Sequence, residues 1–232
     1  MTDSLRKYLA ELFGTFVLVF VGSAAIVAGA GSGLDAARLV AIGLGFSLAL
    51  LAGLYAFAEV SGGHFNPIVS LAMVLDGRLE RRDLVPYWIA QFAGAVLASL
   101  TILIGFDQEA VAGTATLPGA AGVGTAVLFE VVASAVFVLV ILQSTRSERH
   151  AGTALVAIPL TLVAAHVAFI PISGASLNTA RSFGPALIGS EWSDFWVYLV
   201  GPPLGAIVGW AIYAFVIKQT DAAQGEPRPA TS

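Results

Sequence analysis

The sequence predicts an all-α membrane protein, with six transmembrane helices plus two re-entrant half-helices arranged as an inverted repeat. Three observations predict it. Of the 232 residues, 57% are hydrophobic and only 11% are charged, against about 25% charged in a soluble domain. Six apolar segments, near 8–30, 38–58, 84–105, 123–143, 152–170 and 195–217, reach the roughly 20 residues that a helix needs to cross a bilayer. The stretch SGGHFNPIVS at 61–70 returns as SGASLNTARS at 173–182.

The first apolar segment is too long for the core of a signal peptide and reads as a spanning helix, although Ala28-Gly29-Ala30 loosely imitates a cleavage site. Cysteine is absent, so no disulfide, thiol nucleophile or cysteine metal site is expected, and no cofactor is implied. The net charge of −4 and the lack of a long basic run give no sign of nucleic-acid binding. Six spans place both termini on one face. Arg6, Lys7, Arg78, Arg81, Arg82, Arg146, Arg149, Lys218 and Arg228 fall on that face, and only Arg38 and Arg181 fall opposite. The positive-inside rule makes the termini cytoplasmic. Short loops and no N-terminal targeting segment favour a plasma (inner) membrane. The polar, Pro-bearing residues 219–232 are expected to form a flexible tail.

The repeat divides a single domain, 1–232, into halves at about 8–105 and 123–217. Ser61-Gly62 and Asn66 recur 112 residues on as Ser173-Gly174 and Asn178, and Gly94 to Ala98 answers Gly205 to Gly209 at an offset of 111. Glu11 with Thr15 answers Glu130 with Ser134. Three spans per half invert the second copy, which gives a pseudo-two-fold axis in the membrane plane and a site near its middle.

Each copy is a Gly-bearing loop, an Asn, then a short apolar run. Asn is a preferred helix N-cap and Pro67 suits the first helical position. A half-helix of about 10 residues is about 15 Å long, so two entering from opposite faces cross the roughly 30 Å core. Gly77 is placed to end the first, and Pro185 to bend or stop the second. Their N-termini, with Asn66 and Asn178, meet at mid-bilayer, where non-helical backbone must be buried in protein or line a wet cavity. Each N-terminus carries about half a positive charge. The pair repels cations, hydronium included, while the amides donate hydrogen bonds to a small neutral solute.

The loops Ser61 to Phe65 and Ser173 to Leu177 are expected to line the passage through Gly62, Gly63, His64, Phe65, Gly174 and Ser176, with carbonyls turned inward. His64 reads as holding its loop by hydrogen bonds. Glu11 and Glu130 read as structural buried acids that accept from loop N–H groups. Gly201, Gly205 and Gly209 read as close helix packing, and Trp192, Trp196 and Tyr198 as outer-interface residues.

The boxes SGGHFNPIVS and SGASLNTARSFGPA, with AELFGT in the first helix, resemble the aquaporin (major intrinsic protein) family over essentially the whole chain outside the tails. The resemblance implies a passive channel, not an enzyme, with one pore per subunit of a homotetramer in the lipid bilayer. It implies a selectivity filter of Phe46, His166, Ala175 and Arg181, and a central pore at the Asn boxes: Asn66, Pro67, Ile68, Asn178, Thr179 and Ala180. This filter set resembles that of water-selective members, as does Ser182 after the Arg. The implied function is single-file water conduction that excludes protons and ions. The alternative is a facilitator of glycerol or another small neutral solute, to which Leu199 and Ala175 point. The family writes Asn-Pro-Ala twice; here Ile68 is expected to crowd the midplane and Thr179 to keep its helical turn with less rigidity. An intramembrane serine hydrolase built on Ser176 and His166 lacks the Gly-x-Ser-x-Gly surround.

Overall fold

The structure is a computed structural model and describes residues 2–31, 33–146 and 148–218. The expected tail, 219–232, and the side chain of Arg149 lie outside the described residues. Among the described residues every regular element is helical: α1 (Asp3–Ala28), α2 (Ala36–Ser61), α3 (Pro67–Leu75), α4 (Arg81–Gly105), α5 (Gln108–Ala112), α6 (Val123–Ser144), α7 (Glu148–Ser173), α8 (Thr179–Gly189) and α9 (Trp196–Ile212). A π-helical turn, Tyr213–Ile217, continues α9. Helices α1, α2, α4, α6, α7 and α9 with its continuation are long and apolar enough to cross a membrane. Several outrun their apolar segments because capping side chains make the polar ends helical: Thr2 caps α1 and Asp35 caps α2. The short α5, capped by Asp107, escapes a search for apolar runs.

The two halves pack alike. Helix α1 lies against α2 and α4, α6 lies against α7 and α9, and α2 meets α7 across the join. The half-helices cross over, α3 resting on α9 as well as α4, and α8 on α4. Small residues allow these approaches, since association in lipid relies on close van der Waals contact. A Cβ on Gly94 would lie 2.3 Å from Leu12 O, and one on Gly205, its repeat partner, 2.4 Å from Val131 O.

Hydrogen bonds at the two faces fix the sense of the half-helices. On one face Tyr8 Oη donates to Asp83 Oδ1 at 2.8 Å, joining the starts of α1 and α4. There Arg78, just beyond α3, donates from Nη1 to Thr145 O at 3.2 Å, and Lys218 Nζ meets Asp76 Oδ1 at 2.8 Å. On the other face, past the far end of α4, Gln108 Nε2 donates to Ser190 Oγ at 3.2 Å, beyond the end of α8. The half-helices therefore enter from opposite faces. Helix α3 ends before Gly77, which sits at φ +77°. Pro185 does not stop α8, which continues to Gly189.

Large apolar side chains cover the outside, with Ile104 at 85% and Tyr55 at 73% exposure. Trp192 and Trp196 are exposed, but Tyr198 is fully buried, which corrects its expected interfacial place. A buried tyrosine needs a partner for its hydroxyl, and Tyr198 Oη donates to Ser173 O at 2.8 Å.

Replacing a packing glycine tests this arrangement. Gly94→Ala and Gly205→Ala should each cost about 2 kcal/mol, the penalty of overpacking, seen as a lower unfolding temperature in detergent. Gly124→Ala, whose new Cβ meets nothing within 4 Å, should leave that temperature unchanged or raise it through helix propensity.

Candidate functional site

Both re-entrant loops turn through the same left-handed backbone positions. Gly62, Gly63 and Phe65 have φ of +91°, +67° and +48°; Gly174, Ala175 and Leu177 have +80°, +48° and +50°. Left-handed non-glycine residues persist only where the surroundings over-determine them. Two buried carboxyls do this. Glu11 Oε1 accepts from Ser61 Oγ at 2.7 Å and His64 N at 2.9 Å, and Oε2 from Phe65 N at 2.6 Å and Gln91 Nε2 at 2.8 Å. Glu130 Oε1 accepts from Ser173 Oγ and Ser176 N, each at 2.8 Å, and Oε2 from Leu177 N at 3.0 Å. Every neighbour here is a donor, which suits an acceptor-only carboxylate.

Two tyrosines brace the loop entrances, Tyr87, which the sequence reading missed, and Tyr198, which it placed at the outer interface. Tyr87 Oη donates to Ser61 O at 2.7 Å, as Tyr198 does to Ser173 O. Their separation of 111 residues equals the offset already visible in the helix repeat, so a signal was present. Gln91 has no such counterpart, since Pro202 stands 111 positions on.

The half-helix tips abut. Asn66 Oδ1 caps α3 through Ile68 N at 3.1 Å, and Asn178 Oδ1 caps α8 through Ala180 N at 3.0 Å and Arg181 N at 3.2 Å. Each amide also reaches across the join. Asn66 Nδ2 donates to Leu177 O at 2.8 Å, and Asn178 Nδ2 to Phe65 O at 3.0 Å. That uses one of the two N–H groups on each amide. It also occupies the Phe65 and Leu177 carbonyls, as the tyrosines occupy those of Ser61 and Ser173. Each of these four carbonyls keeps a second lone pair.

A cavity of about 210 Å³ runs past these tips. Asn66, Asn178, Gly62, Gly63, His64 and Ser176 border it, with an aliphatic wall that includes Leu18, Leu50, Leu54, Ile158 and Leu162. His64 also holds its loop, with Nδ1 3.0 Å from Ser70 Oγ. Phe46, His166 and Arg181 converge on the cavity. The Phe46 and His166 rings stack with centroids 4.8 Å apart, and Arg181 Cζ sits 4.8 Å over the Phe46 ring. His166 Nδ1 lies 2.9 Å from Leu162 O, which makes Nδ1 the donor and leaves Nε2 as the acceptor when the ring is neutral. His166 Nε2 and Arg181 Nε are buried with no hydrogen-bond partner among the described residues.

Other expected site residues lie off the cavity. Ala175 does not border the cavity, its N–H lying 3.3 Å from Ser173 Oγ, so three of the four expected side chains converge at this constriction. Pro67, Ile68, Thr179 and Ala180 lie behind the Asn tips. Ile68 is buried in the apolar core and does not border the cavity, while Thr179 Oγ1 donates to Tyr198 O at 3.0 Å. The Phe65 ring fills the space between α1 and α2, where a Cβ on Gly14 would strike it at 2.0 Å. Gly174 is pressed against Leu117 O, 2.8 Å from where its Cβ would be. Leu199 faces outward at 51% exposure, so it cannot touch a passenger. Ser176 Oγ donates to Asn178 O at 3.0 Å and His166 is tied to Leu162, so the two form no nucleophile–base pair.

The loop clamps give a direct test. Glu130→Gln places an amide NH₂ against N–H donors and should cost about 3–5 kcal/mol, as for other broken buried charge contacts. Tyr198→Phe, which removes one neutral hydrogen bond, should cost about 1 kcal/mol. Denaturant unfolding of the purified protein in detergent measures both.

A family model described as Major intrinsic protein matches residues 1–213. Aquaporin Z of Brucella melitensis is 37% identical over 220 residues, covering 90% of this chain and 96% of that protein. Glycerol uptake facilitator protein-like 6 of Lactiplantibacillus plantarum is 40% identical over 212 residues, covering 88% and 94%. The solved aquaglyceroporin of Plasmodium falciparum shares the fold, with a TM-score of 0.85 at 24% identity over 95% of this chain and 99% of that one. Members of the matched family are channels rather than enzymes. With its inverted repeat, abutting Asn tips and family match over nearly its whole length, the chain belongs to the major intrinsic protein (aquaporin) family of multi-pass membrane channels.

Proposed function

We propose that the chain conducts water passively and in single file past Phe46, His166, Arg181, Asn66 and Asn178, and excludes protons and ions. The observation that carries this reading is the mutual approach of Phe46, His166 and Arg181. Two stacked rings and a guanidinium leave little width for a carbon backbone. They still offer an acceptor at His166 Nε2 and a donor at Arg181 Nε to replace part of a water's hydration shell.

Farther in, the remaining N–H of Asn66 and of Asn178 can both donate to one water oxygen. A water held as a double acceptor at that point turns its own hydrogens outward, which interrupts proton hopping. Two facing helix N-termini, each worth about +0.5 charge, and the Arg181 cation oppose hydronium and metal ions electrostatically. The same reading takes 1–232 as one channel domain in a homotetramer of the plasma (inner) membrane. Both termini are cytoplasmic, since Arg78, Arg81, Arg82 and Lys218 share the face where α3 ends.

A second reading, conduction of glycerol or another small neutral solute, draws on the aliphatic cavity wall and on the 40% identity to a protein named as a glycerol uptake facilitator. A wall that is apolar on one side and polar on the other suits a polyol as well as water.

Stopped-flow light scattering on proteoliposomes separates the two. Osmotic shrinkage should be much faster than in empty vesicles, with iso-osmotic glycerol uptake at background. Arg181→Val should raise glycerol uptake and ion leak above background. Shrinkage at the empty-vesicle rate would end the channel reading, and fast glycerol uptake by the unsubstituted chain would transfer the assignment to the second.

A further inference from the structure

The connection between α5 and α6 folds back over the second re-entrant loop. Gly119 N donates to Ile172 O at 2.9 Å, and a Cβ on Gly119 would lie 2.0 Å from Pro171 O. This clamp brings Thr116, only 5% exposed, against Arg181 and Ser182. A continuous chain of polar contacts results. Arg181 Nη1 donates to Thr116 Oγ1. Thr116 Oγ1 lies 2.8 Å from Ser182 Oγ, which lies 2.6 Å from Ser176 Oγ. Ser176 Oγ donates to Asn178 O at 3.0 Å.

The proton inventory fixes the direction of every link. A guanidinium only donates, so the Thr116 oxygen accepts from it. The hydrogen of Ser176 goes to Asn178 O, so Ser182 must donate to Ser176. Ser182 has then spent its one hydrogen and accepts from Thr116. Each hydroxyl donates once, and none is left over. The constriction and the Asn178 tip are joined by one directional relay, and neither Thr116 nor Ser182 borders the cavity.

We infer that Thr116 and Ser182 are positioning residues for Arg181: their hydroxyls hold its guanidinium beside Phe46 and against the α5–α6 connection, at the wall of the passage rather than across it. The inference rests on the reading that water passes Arg181. The other acceptor of Nη1, Thr114 O at 3.3 Å, is long for a charge-assisted bond, so the hydroxyl is the stronger hold. Arg181 already borders the cavity and its Nε has no hydrogen-bond partner among the described residues. A guanidinium released from Thr116 turns inward and obstructs the file of water.

The test is water permeability of proteoliposomes, measured per channel and at several temperatures, for Thr116→Val, Thr116→Ser, Ser182→Ala and Arg181→Val. Thr116→Val keeps the shape and removes the hydroxyl. It should lower permeability by about two- to tenfold, the range that the net contribution of one hydrogen bond converts to, and steepen the temperature dependence. Ser182→Ala should act in the same direction, and the double variant should be no worse than Thr116→Val alone, because both break one chain. Thr116→Ser should match the unsubstituted protein. The temperature dependence does not respond to how many channels fold, so a purely structural role for Thr116 leaves it unmoved. An unchanged temperature dependence in Thr116→Val, or a Thr116→Ser variant that behaves like it, overturns the inference. If Arg181→Val also left water and glycerol flow unchanged, the role given to Arg181 would fail first, and the relay's role with it.

Discussion

A backbone that leaves its helix inside a bilayer has no water to bond with, and each unmatched group there costs several kcal/mol. The bond between each buried carboxyl and its re-entrant loop is the answer this chain uses, and the rest of the site depends on it. Glu11 takes the N–H groups of His64 and Phe65, and Glu130 those of Ser176 and Leu177. The N–H groups just before them, of Gly63 and Ala175, go to Ser61 Oγ and Ser173 Oγ, and both hydroxyls are oriented by the same carboxyls. With the loops pinned, Asn66 and Asn178 are delivered as caps at two facing helix tips. Their cross-bonds to Leu177 O and Phe65 O then lock one half of the molecule to the other.

The repeat builds a symmetric scaffold, and the character of the passage comes from where the symmetry breaks. Moved by the 112-residue offset, Phe46, His166 and Arg181 correspond to Ile158, Leu54 and Val69. All six border the same cavity. Equivalent places in the fold thus hold a ring, an imidazole and a cation toward one mouth and three aliphatic side chains toward the other. A solute meets a polar, charged constriction at one end only, while the tips between are close to equivalent. The hydroxyl relay through Thr116 and Ser182 belongs to the polar mouth alone, since Arg181, which it serves, is replaced by Val69 in the other half.

Much of this was legible in the sequence because the constraints are periodic or local. Apolar length marked the six spans, and the duplicated Asn with its preceding glycines marked the half-helices. Glu11 and Glu130 stood out because an acid within a spanning helix must have a partner. Side-chain direction was less legible. Neighbouring residues of a tight loop face different ways, so Ala175, Phe65 and Ile68 share the site's sequence but not its lumen, and Leu199 turns out to the lipid side. Tyr198 reads as an interfacial aromatic until its hydroxyl is seen on Ser173 O. Thr116 lies in a connection without a motif, and only the folding of that segment over the second loop brings it to Arg181.

The chain has no cysteine, which allows the route itself to be tested with a single reactive site. Val69 borders the cavity one turn beyond Asn66, whereas Leu199 faces outward. Water flow through proteoliposomes carrying Val69→Cys should be blocked by a mercurial reagent, while the unsubstituted chain and Leu199→Cys stay unaffected. Undiminished flow through Val69→Cys after complete labelling would show that water does not pass between the two half-helix tips.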